Sequence, residues 1–241
     1  MRHVAPVRKE LGWRTIFNLL GPLANPVEGP LLEARVIGVA RRDLGPVFAD
    51  ALKFSGAKKA LIVCGDEDLD ELSCAGPTHC WMLQEKPNPK FRGPKEEQDE
   101  EYTTSDDEAP PRTIVETEYF VLHPSDFGFP CHQLSEVSPG KEPQENQKIL
   151  MDILNGKRDL DSALIHFVLI NTAALLVVSG VCEAEASAMG DGDDGNVILE
   201  RGPGGGRWKE GVRRAKWAIQ SGKAAEMFQE FIRVTNELNK P

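Results

Sequence analysis

The chain has 241 residues, of which 40% are hydrophobic and 27% are charged. This length and composition can bury a core as one large α/β domain or two small ones, and they exclude disorder throughout the chain. The longest apolar stretch, near residues 163–182, is interrupted by polar residues such as His166 and Asn171. No charged flank followed by an apolar run opens the chain. The sequence therefore predicts a cytoplasmic protein that has no membrane partner.

The net charge of −10 comes from 38 acidic and 28 basic residues. Such a charge repels a phosphate backbone, so we expect no nucleic-acid partner. Most of the excess is local, because residues 96–108 contain eight acidic residues and no basic one. The remainder is nearly neutral and indicates no partner that would be selected by charge.

The five cysteines are an odd number and include no CxxC pair. This pattern argues against both a disulfide framework and a structural zinc site. We therefore expect reduced, buried thiols.

The predicted elements alternate between strands and helices along the chain. They are a short helix over residues 5–11, a strand over 31–40, a helix over 43–55, strands over 59–64, 79–83 and 113–122, and helices over 144–154, 161–179, 209–220 and 223–238. Near-continuous apolar strands separated by amphipathic helices predict an α/β fold with a mainly parallel sheet and helices on both faces. Ligands of such sheets gather at the carboxyl ends of strands, which directs attention to the loop 65–73.

Two polar segments interrupt this pattern, about 84–113 and 185–207. Their composition does not bury enough apolar surface to offset chain entropy, so we expect both to be disordered insertions in a single α/β domain. The glycine run 204–206 follows no apolar strand and lacks a Lys-Ser/Thr ending. It is therefore predicted to be a flexible linker and not a phosphate cradle.

The loop 65–73 reads GDEDLDELS and contains five carboxylates. Neighbouring carboxylates after a buried strand suit a hard cation such as Mg²⁺ that also holds substrate phosphates. A solvated acidic turn is the more common outcome for such a composition, and the residues alone leave both readings open. Arg8 is equally open, since its guanidinium can grip a carboxylate ligand or form a surface ion pair.

Residues 5–26 read APVRKELGWRTIFNLLGPLANP, and this string closely resembles the signature of anthranilate phosphoribosyltransferases. Further similar segments are VCGDEDLDELS at 63–73, HPSDFGFP at 123–130, ENQKIL at 145–150, LINTAALLVVSG at 169–180 and SGKA at 221–224. Pyrimidine nucleoside phosphorylases share the fold, but the string FNLLGPLANP favours the anthranilate family.

The resemblance implies a glycosyltransferase of tryptophan biosynthesis. Such an enzyme transfers phosphoribose from phosphoribosyl pyrophosphate (PRPP) to anthranilate with Mg²⁺ as cofactor, giving N-(5-phosphoribosyl)anthranilate and pyrophosphate. Position by position, Asp70 and Glu71 match the family's metal-binding acidic pair. Arg8 matches its anthranilate-binding arginine, and Pro22 matches a proline that lines the same pocket.

The family also has an N-terminal helical domain and a glycine-rich GTGGD-type phosphate loop, and neither pattern occurs in these 241 residues. We interpret the chain as the carboxyl-terminal two-thirds of the family and expect it to be inactive by itself. The family's homodimer forms through the helical domain, so the resemblance leaves dimerisation of this chain open. Two alternatives also stay open: a non-enzymatic or regulatory fragment with this fold, and a relative of the pyrimidine nucleoside phosphorylases.

Overall fold

A four-stranded sheet and five α-helices form the regular structure of the computed structural model, which describes residues 32–91, 111–137 and 142–239 and the isolated residues 7, 10, 12, 21 and 23. The strands are β1 (Arg35–Gly38), β2 (Ala60–Gly65), β3 (Thr78–Pro87) and β4 (Thr113–Leu122). The helices are α1 (Leu44–Phe54), α2 (Pro143–Leu154), α3 (Ala163–Ser179), α4 (Trp208–Gln220) and α5 (Lys223–Leu238). The predicted helix over residues 5–11 lies largely outside the described residues. None of the described helices combines the length and the apolar character needed to cross a membrane.

The strands lie in the order β1-β2-β3-β4. The unit β1-α1-β2 pairs its strands in parallel, with Val36 opposite Leu61, whereas β2/β3 and β3/β4 are antiparallel. The predicted α/β class is confirmed, but the sheet is mixed: among the described strands only one pair is parallel. A parallel pair needs a long crossover connection, and only α1 supplies one here, since the loop 66–77 between β2 and β3 contains no helix.

Helices cover both faces of the sheet, as predicted. Alternate residues of β2 point to opposite faces. Leu61 and Val63 belong to the core that α3 and α4 cover, while Ile62 and Cys64 belong to the core that α1 covers. The whole of β2 is buried, which explains its uninterrupted apolar sequence.

The cysteines follow the prediction with one exception. All five are free, and four are buried, but Cys131 is exposed because it lies in an irregular segment after β4. Burial raises the pKa of the Cys182 thiol to about 11, and burial raises the pKa of Cys80 as well. These buried thiols are therefore protonated and unreactive at neutral pH.

The predicted insertion 84–113 is wrong at its amino-terminal end, whereas the strand predicted over 113–122 is confirmed. Residues 84–87 continue β3 and Thr113 begins β4, and the pairing runs to Pro87 opposite Thr113. The outer parts of these strands are solvated and join by polar contacts, such as Lys86 with Glu116 at 3.4 Å, so they need little apolar content. Residues 92–110 lie outside the described residues, and for them disorder stays a prediction.

The second predicted insertion, 185–207, has defined contacts with α4 instead of being disordered. The Arg213 guanidinium donates hydrogen bonds to Asp193 at 2.9 Å and to Ser187 at 2.8 Å. Trp217 donates to the Asp191 carbonyl at 3.0 Å. Composition predicts only how much apolar surface a segment can bury. This segment is held instead by charged and polar side chains of a neighbouring helix.

The glycine run 204–206 is a packing feature and not a flexible linker. Gly204 has φ +63°, and a Cβ atom there would lie 2.3 Å from the Phe120 ring. A Cβ atom on Gly206 would lie 2.6 Å from the ring of Trp208. Glycine is needed at these positions because the backbone passes directly over two aromatic rings.

Candidate functional site

The acidic loop turns back sharply as it leaves β2. The Gly65 N–H donates to the Leu69 carbonyl at 2.8 Å, and the Asp68 N–H donates to the Gly65 carbonyl at 3.0 Å. Asp68 has φ +59°, a left-handed conformation that aspartate tolerates better than most residues. This turn directs the chain that follows, Asp70 and Glu71, towards the end of β1.

Gly38, the last residue of β1, is the surface against which the acidic pair rests. A Cβ atom on Gly38 would lie 1.5 Å from the carbonyl oxygen of Asp70, which is far inside contact distance. Only glycine permits this approach of one backbone to another. The carboxyl ends of β1 and β2 are thereby joined at one edge of the sheet.

Asn171 holds the other side of the acidic segment from helix α3. Its Oδ1 accepts the Leu72 N–H at 3.0 Å, and its Nδ2 donates to the Leu72 carbonyl at 3.1 Å. The same Nδ2 donates to the Phe167 carbonyl one turn earlier, also at 3.1 Å. Both backbone polar groups of Leu72, the residue that follows Glu71, are thus hydrogen-bonded by one side chain.

Asp70 and Glu71 line a pocket of about 530 Å³ between this edge of the sheet and α3. The other lining residues come from β1, β2 and α3: Val36, Gly38, Val63, Phe167, Val168, Asn171, Thr172 and Leu175. The pocket therefore combines an apolar wall with two carboxylates at its rim.

Neither carboxylate of the pair receives a hydrogen bond or ion pair from any described residue. Although Glu71 is exposed overall, partial desolvation raises the pKa of its carboxyl, and the neighbouring Asp70 charge raises it further. Two adjacent carboxylates without a counter-charge fit a hard divalent cation. The described residues contain no group of three or more His, Cys, Asp or Glu side chains that could hold a metal ion.

The remaining acids of the loop are engaged elsewhere. Asp66 Oδ1 lies 3.0 Å from His79 Nε2, whose Nδ1 lies 2.7 Å from the Tyr119 hydroxyl on the α1 side of the sheet. Glu67 accepts a hydrogen bond from Ser73 at 3.1 Å. Of the five carboxylates, two thus anchor the loop through these contacts, that of Asp68 belongs to the residue at the left-handed turn, and the pair Asp70 and Glu71 lines the pocket.

The other two predicted site residues, Arg8 and Pro22, lie outside the described residues. Sequence reasoning missed Gly38 and Asn171. Asn171 is recognisable in the sequence as a polar residue inside an apolar helix, but that observation argued only against a membrane span. Gly38 gave no signal, since a glycine at the end of a strand is common.

Gly38→Ala is expected to displace the acidic segment and to lower the free energy of unfolding by about 1–3 kcal/mol. The added methyl group would meet backbone atoms, and this overlap is relieved only when the backbone itself moves. Urea unfolding gives the stability, and Mn²⁺ titration reports the carboxylate pair. Gly76→Ala is the matched control, since its Cβ atom would make ordinary contact at 3.7 Å in the same loop region. Equal effects of the two substitutions would contradict the role assigned to Gly38.

Comparison with protein families matches the model described as glycosyl transferase family, a/b domain, to residues 1–94 and 109–225. The chain belongs to this glycosyl transferase family. Its match covers all of the elements that build the pocket, including β1, β2 and α3.

The chain is similar to enzymes named anthranilate phosphoribosyltransferase, which confirms the resemblance seen in the sequence. The one from Schizosaccharomyces pombe is 33% identical over 98% of this chain and 51% of the relative. The one from Hyphomonas neptunium is 35% identical over 98% of this chain and 52% of the relative. The chain spans about half the length of the curated relatives it matches.

Solved structures give the same comparison. The anthranilate phosphoribosyltransferase of Saccharomyces cerevisiae in complex with PRPP and Mg is 29% identical, with a TM-score of 0.70 over 98% of this chain and 52% of that one. Its complex with 4-fluoroanthranilate matches with a TM-score of 0.69 at the same identity and coverage. These structures share the fold of the glycosyl transferase chain described here.

Proposed function

We propose that the chain carries the metal side and the acceptor side of an anthranilate phosphoribosyltransferase site. The reaction transfers phosphoribose from PRPP to the amine of anthranilate and releases pyrophosphate, a step of tryptophan biosynthesis. The observation that carries the proposal is the carboxylate pair Asp70 and Glu71, which lines a pocket at the carboxyl edge of the sheet without a described counter-charge. Relatives of that name, and neighbours with PRPP and Mg or 4-fluoroanthranilate, support the same reaction.

The aromatic amine of anthranilate is a weak nucleophile, so the rate depends mainly on the departure of pyrophosphate. Mg²⁺, when bound, neutralises the charge that develops on that leaving group. Asp70 and Glu71 would hold the ion. Gly38 and Asn171 fix the backbone on either side of the pair, so both carboxylates are presented together without reorganisation.

The acceptor side of the proposal depends on Arg8 and Pro22. A guanidinium binds a carboxylate through two parallel hydrogen bonds, which suits the carboxylate of anthranilate. Pro22 would line the same pocket. Support for both roles comes from their positions in the string APVRKELGWRTIFNLLGPLANP.

Partners and location follow from the same proposal. Both substrates are water-soluble, so we place the reaction in the cytoplasm. We propose a homodimer only for a protein that contains the family's helical domain.

Calorimetric titration of the chain with PRPP, in the presence and absence of Mg²⁺, tests the proposal. We expect binding that requires Mg²⁺ and weakens at least about tenfold in the double variant Asp70→Asn, Glu71→Gln, because these two carboxylates would hold the ion that neutralises the pyrophosphate charge. The matched control is Glu67→Gln, Asp68→Asn, which removes the same charge from the same loop but spares the pocket. If both double variants lose the same PRPP affinity, the loss reflects the general charge of the loop, and the site proposed at Asp70 and Glu71 is rejected.

A further inference from the structure

Asn171 is a polar side chain in the middle of a helix whose sequence is otherwise largely apolar, ALIHFVLINTAALLVVS. A polar group in such a position costs free energy unless its hydrogen bonds are made. Here Oδ1 accepts one hydrogen bond and Nδ2 donates two, all between 3.0 and 3.1 Å. The side chain is therefore held in one orientation by its own helix and offers its remaining groups to Leu72.

The partner of Asn171 is a backbone peptide and not a side chain. Leu72 directly follows Glu71, and its side chain is buried at 1% exposure. Within the pair, the carbonyl of Asp70, which belongs to the peptide that joins Asp70 to Glu71, lies against Gly38. The backbone that carries the two carboxylates is thus held by a steric contact with Gly38 and by two hydrogen bonds with Asn171.

The carboxylates themselves have no partner among the described residues that would orient them. Their position in the pocket is consequently set by the backbone that carries them, and that backbone is set by Asn171 and Gly38. Of these two, only Asn171 makes directional contacts, which fix rotation as well as distance.

We propose that Asn171 is the positioning residue of the acidic pair: its amide holds the Leu72 peptide so that the Asp70 and Glu71 carboxylates face one divalent cation. The inference rests on the proposed function, since it assigns the pair to a metal. It adds a determinant of metal affinity that touches neither the metal nor a substrate.

Substitutions at this position separate the contacts. Asn171→Ala removes both hydrogen bonds to Leu72. Asn171→Leu keeps nearly the same side-chain size and removes every hydrogen bond without adding charge to the pocket. Ser179→Ala is the matched control, because Ser179 is a polar residue of α3 outside the pocket and its hydroxyl donates to the Leu176 carbonyl of its own helix at 2.8 Å.

The experiment is a Mn²⁺ titration of the 241-residue chain and its variants, followed by the loss of the free-ion electron paramagnetic resonance signal. Outer partners of metal ligands are commonly worth 10–100-fold in metal affinity. We expect Asn171→Ala and Asn171→Leu to weaken Mn²⁺ binding at least about tenfold on that basis, and Ser179→Ala to leave it within about twofold. Hydrogen exchange of the Leu72 amide gives a second readout, and we expect it to accelerate in both Asn171 variants but not in Ser179→Ala.

The outcomes separate the two proposals. Equal Mn²⁺ affinity in Asn171→Ala and Ser179→Ala overturns the positioning role, while loss of binding in Asp70→Asn, Glu71→Gln still supports the metal site. If that double variant binds Mn²⁺ as well as the parent chain, the proposed metal site is wrong and the positioning role fails with it. Should Asn171→Ala unfold, Asn171→Leu decides: folded with unchanged affinity, it overturns the proposal.

Discussion

Replacing Asp70 with Asn and Glu71 with Gln together is expected to lower turnover at least about a hundredfold, the scale seen when charge stabilisation of a developing anion is removed. The assay uses this chain joined to the portion of the Schizosaccharomyces pombe relative that it does not span, because the 241-residue chain is expected to be inactive by itself. The KM for anthranilate should stay within about twofold, because the pair acts on the metal and the leaving pyrophosphate. Steady-state kinetics with each substrate varied separately measures both quantities.

Arg8→Ala is the contrasting variant. Loss of a bidentate contact with the acceptor should raise the KM for anthranilate and change turnover little. Glu67→Gln, Asp68→Asn serves as the charge-matched control and should resemble the parent protein. Identical kinetic profiles for the acidic-pair and Arg8 variants would refute the division into a metal side and an acceptor side.

Glu210→Ala is expected to be strongly destabilising, by about 3–5 kcal/mol, since it leaves the largely buried Arg214 without its counter-charge and removes one of the ion pairs of Arg213, which keeps Asp193. The Glu210 side chain has 0% exposure and accepts hydrogen bonds from Arg213 and Arg214 at 2.7 to 2.8 Å. It also accepts the Ile198 N–H at 2.9 Å, so the same carboxylate anchors the segment 185–207. Urea unfolding at neutral pH measures the loss.

Acid should reproduce part of this effect in the parent chain. Burial by itself would raise the pKa of the Glu210 carboxyl, but hydrogen bonds from Arg213 and Ile198 outweigh it and lower that pKa below 4.5. The stabilisation is then fully present above pH 4.5 and is lost as the pH falls through the folded-state pKa.

Glu200→Ala is the control for Glu210→Ala. Glu200 pairs with Lys209 on the same helix at 2.8 Å, but its side chain is 61% exposed. An exposed pair of this kind contributes about 0–1 kcal/mol. If the two substitutions cost the same, the buried network is not what holds the segment 185–207 to α4.

Local sequence patterns predicted the elements whose residues pack in a simple periodic way. The apolar run of β2 is a strand buried on both faces, and α5 occupies 223–238 as predicted. Gly56 ends α1 in the left-handed conformation. Asp43 precedes α1 but makes no side-chain capping hydrogen bond and pairs with Arg41 instead, because an exposed guanidinium competes for the same carboxylate.

The sheet topology and the polar segments needed more than local pattern. The strands β3 and β4 extend well beyond their apolar parts, and 185–207 is held by charges on α4. Both depend on partners that are distant in sequence, and composition does not identify such partners.

The candidate site, too, could be predicted from the sequence only in part. Residues alone left five equivalent acids in one loop, and the resemblance selected Asp70 and Glu71. The structure then supplied a physical reason for that choice, because Asp66 and Glu67 have partners whereas the pair faces a pocket. The roles of Gly38 and Asn171 arise only from the approach of β1 and α3 to the loop.

The most direct test of the central claim joins this chain to the portion of the Schizosaccharomyces pombe relative that it does not span, and assays the joined protein with anthranilate, PRPP and Mg²⁺. We predict loss of anthranilate fluorescence with release of one pyrophosphate per anthranilate, dependent on Mg²⁺ and abolished by Asp70→Asn, Glu71→Gln. The isolated 241-residue chain, assayed in parallel, should show none. Transfer that persists in the double variant, or phosphorolysis of a pyrimidine nucleoside in place of transfer to anthranilate, would contradict the account.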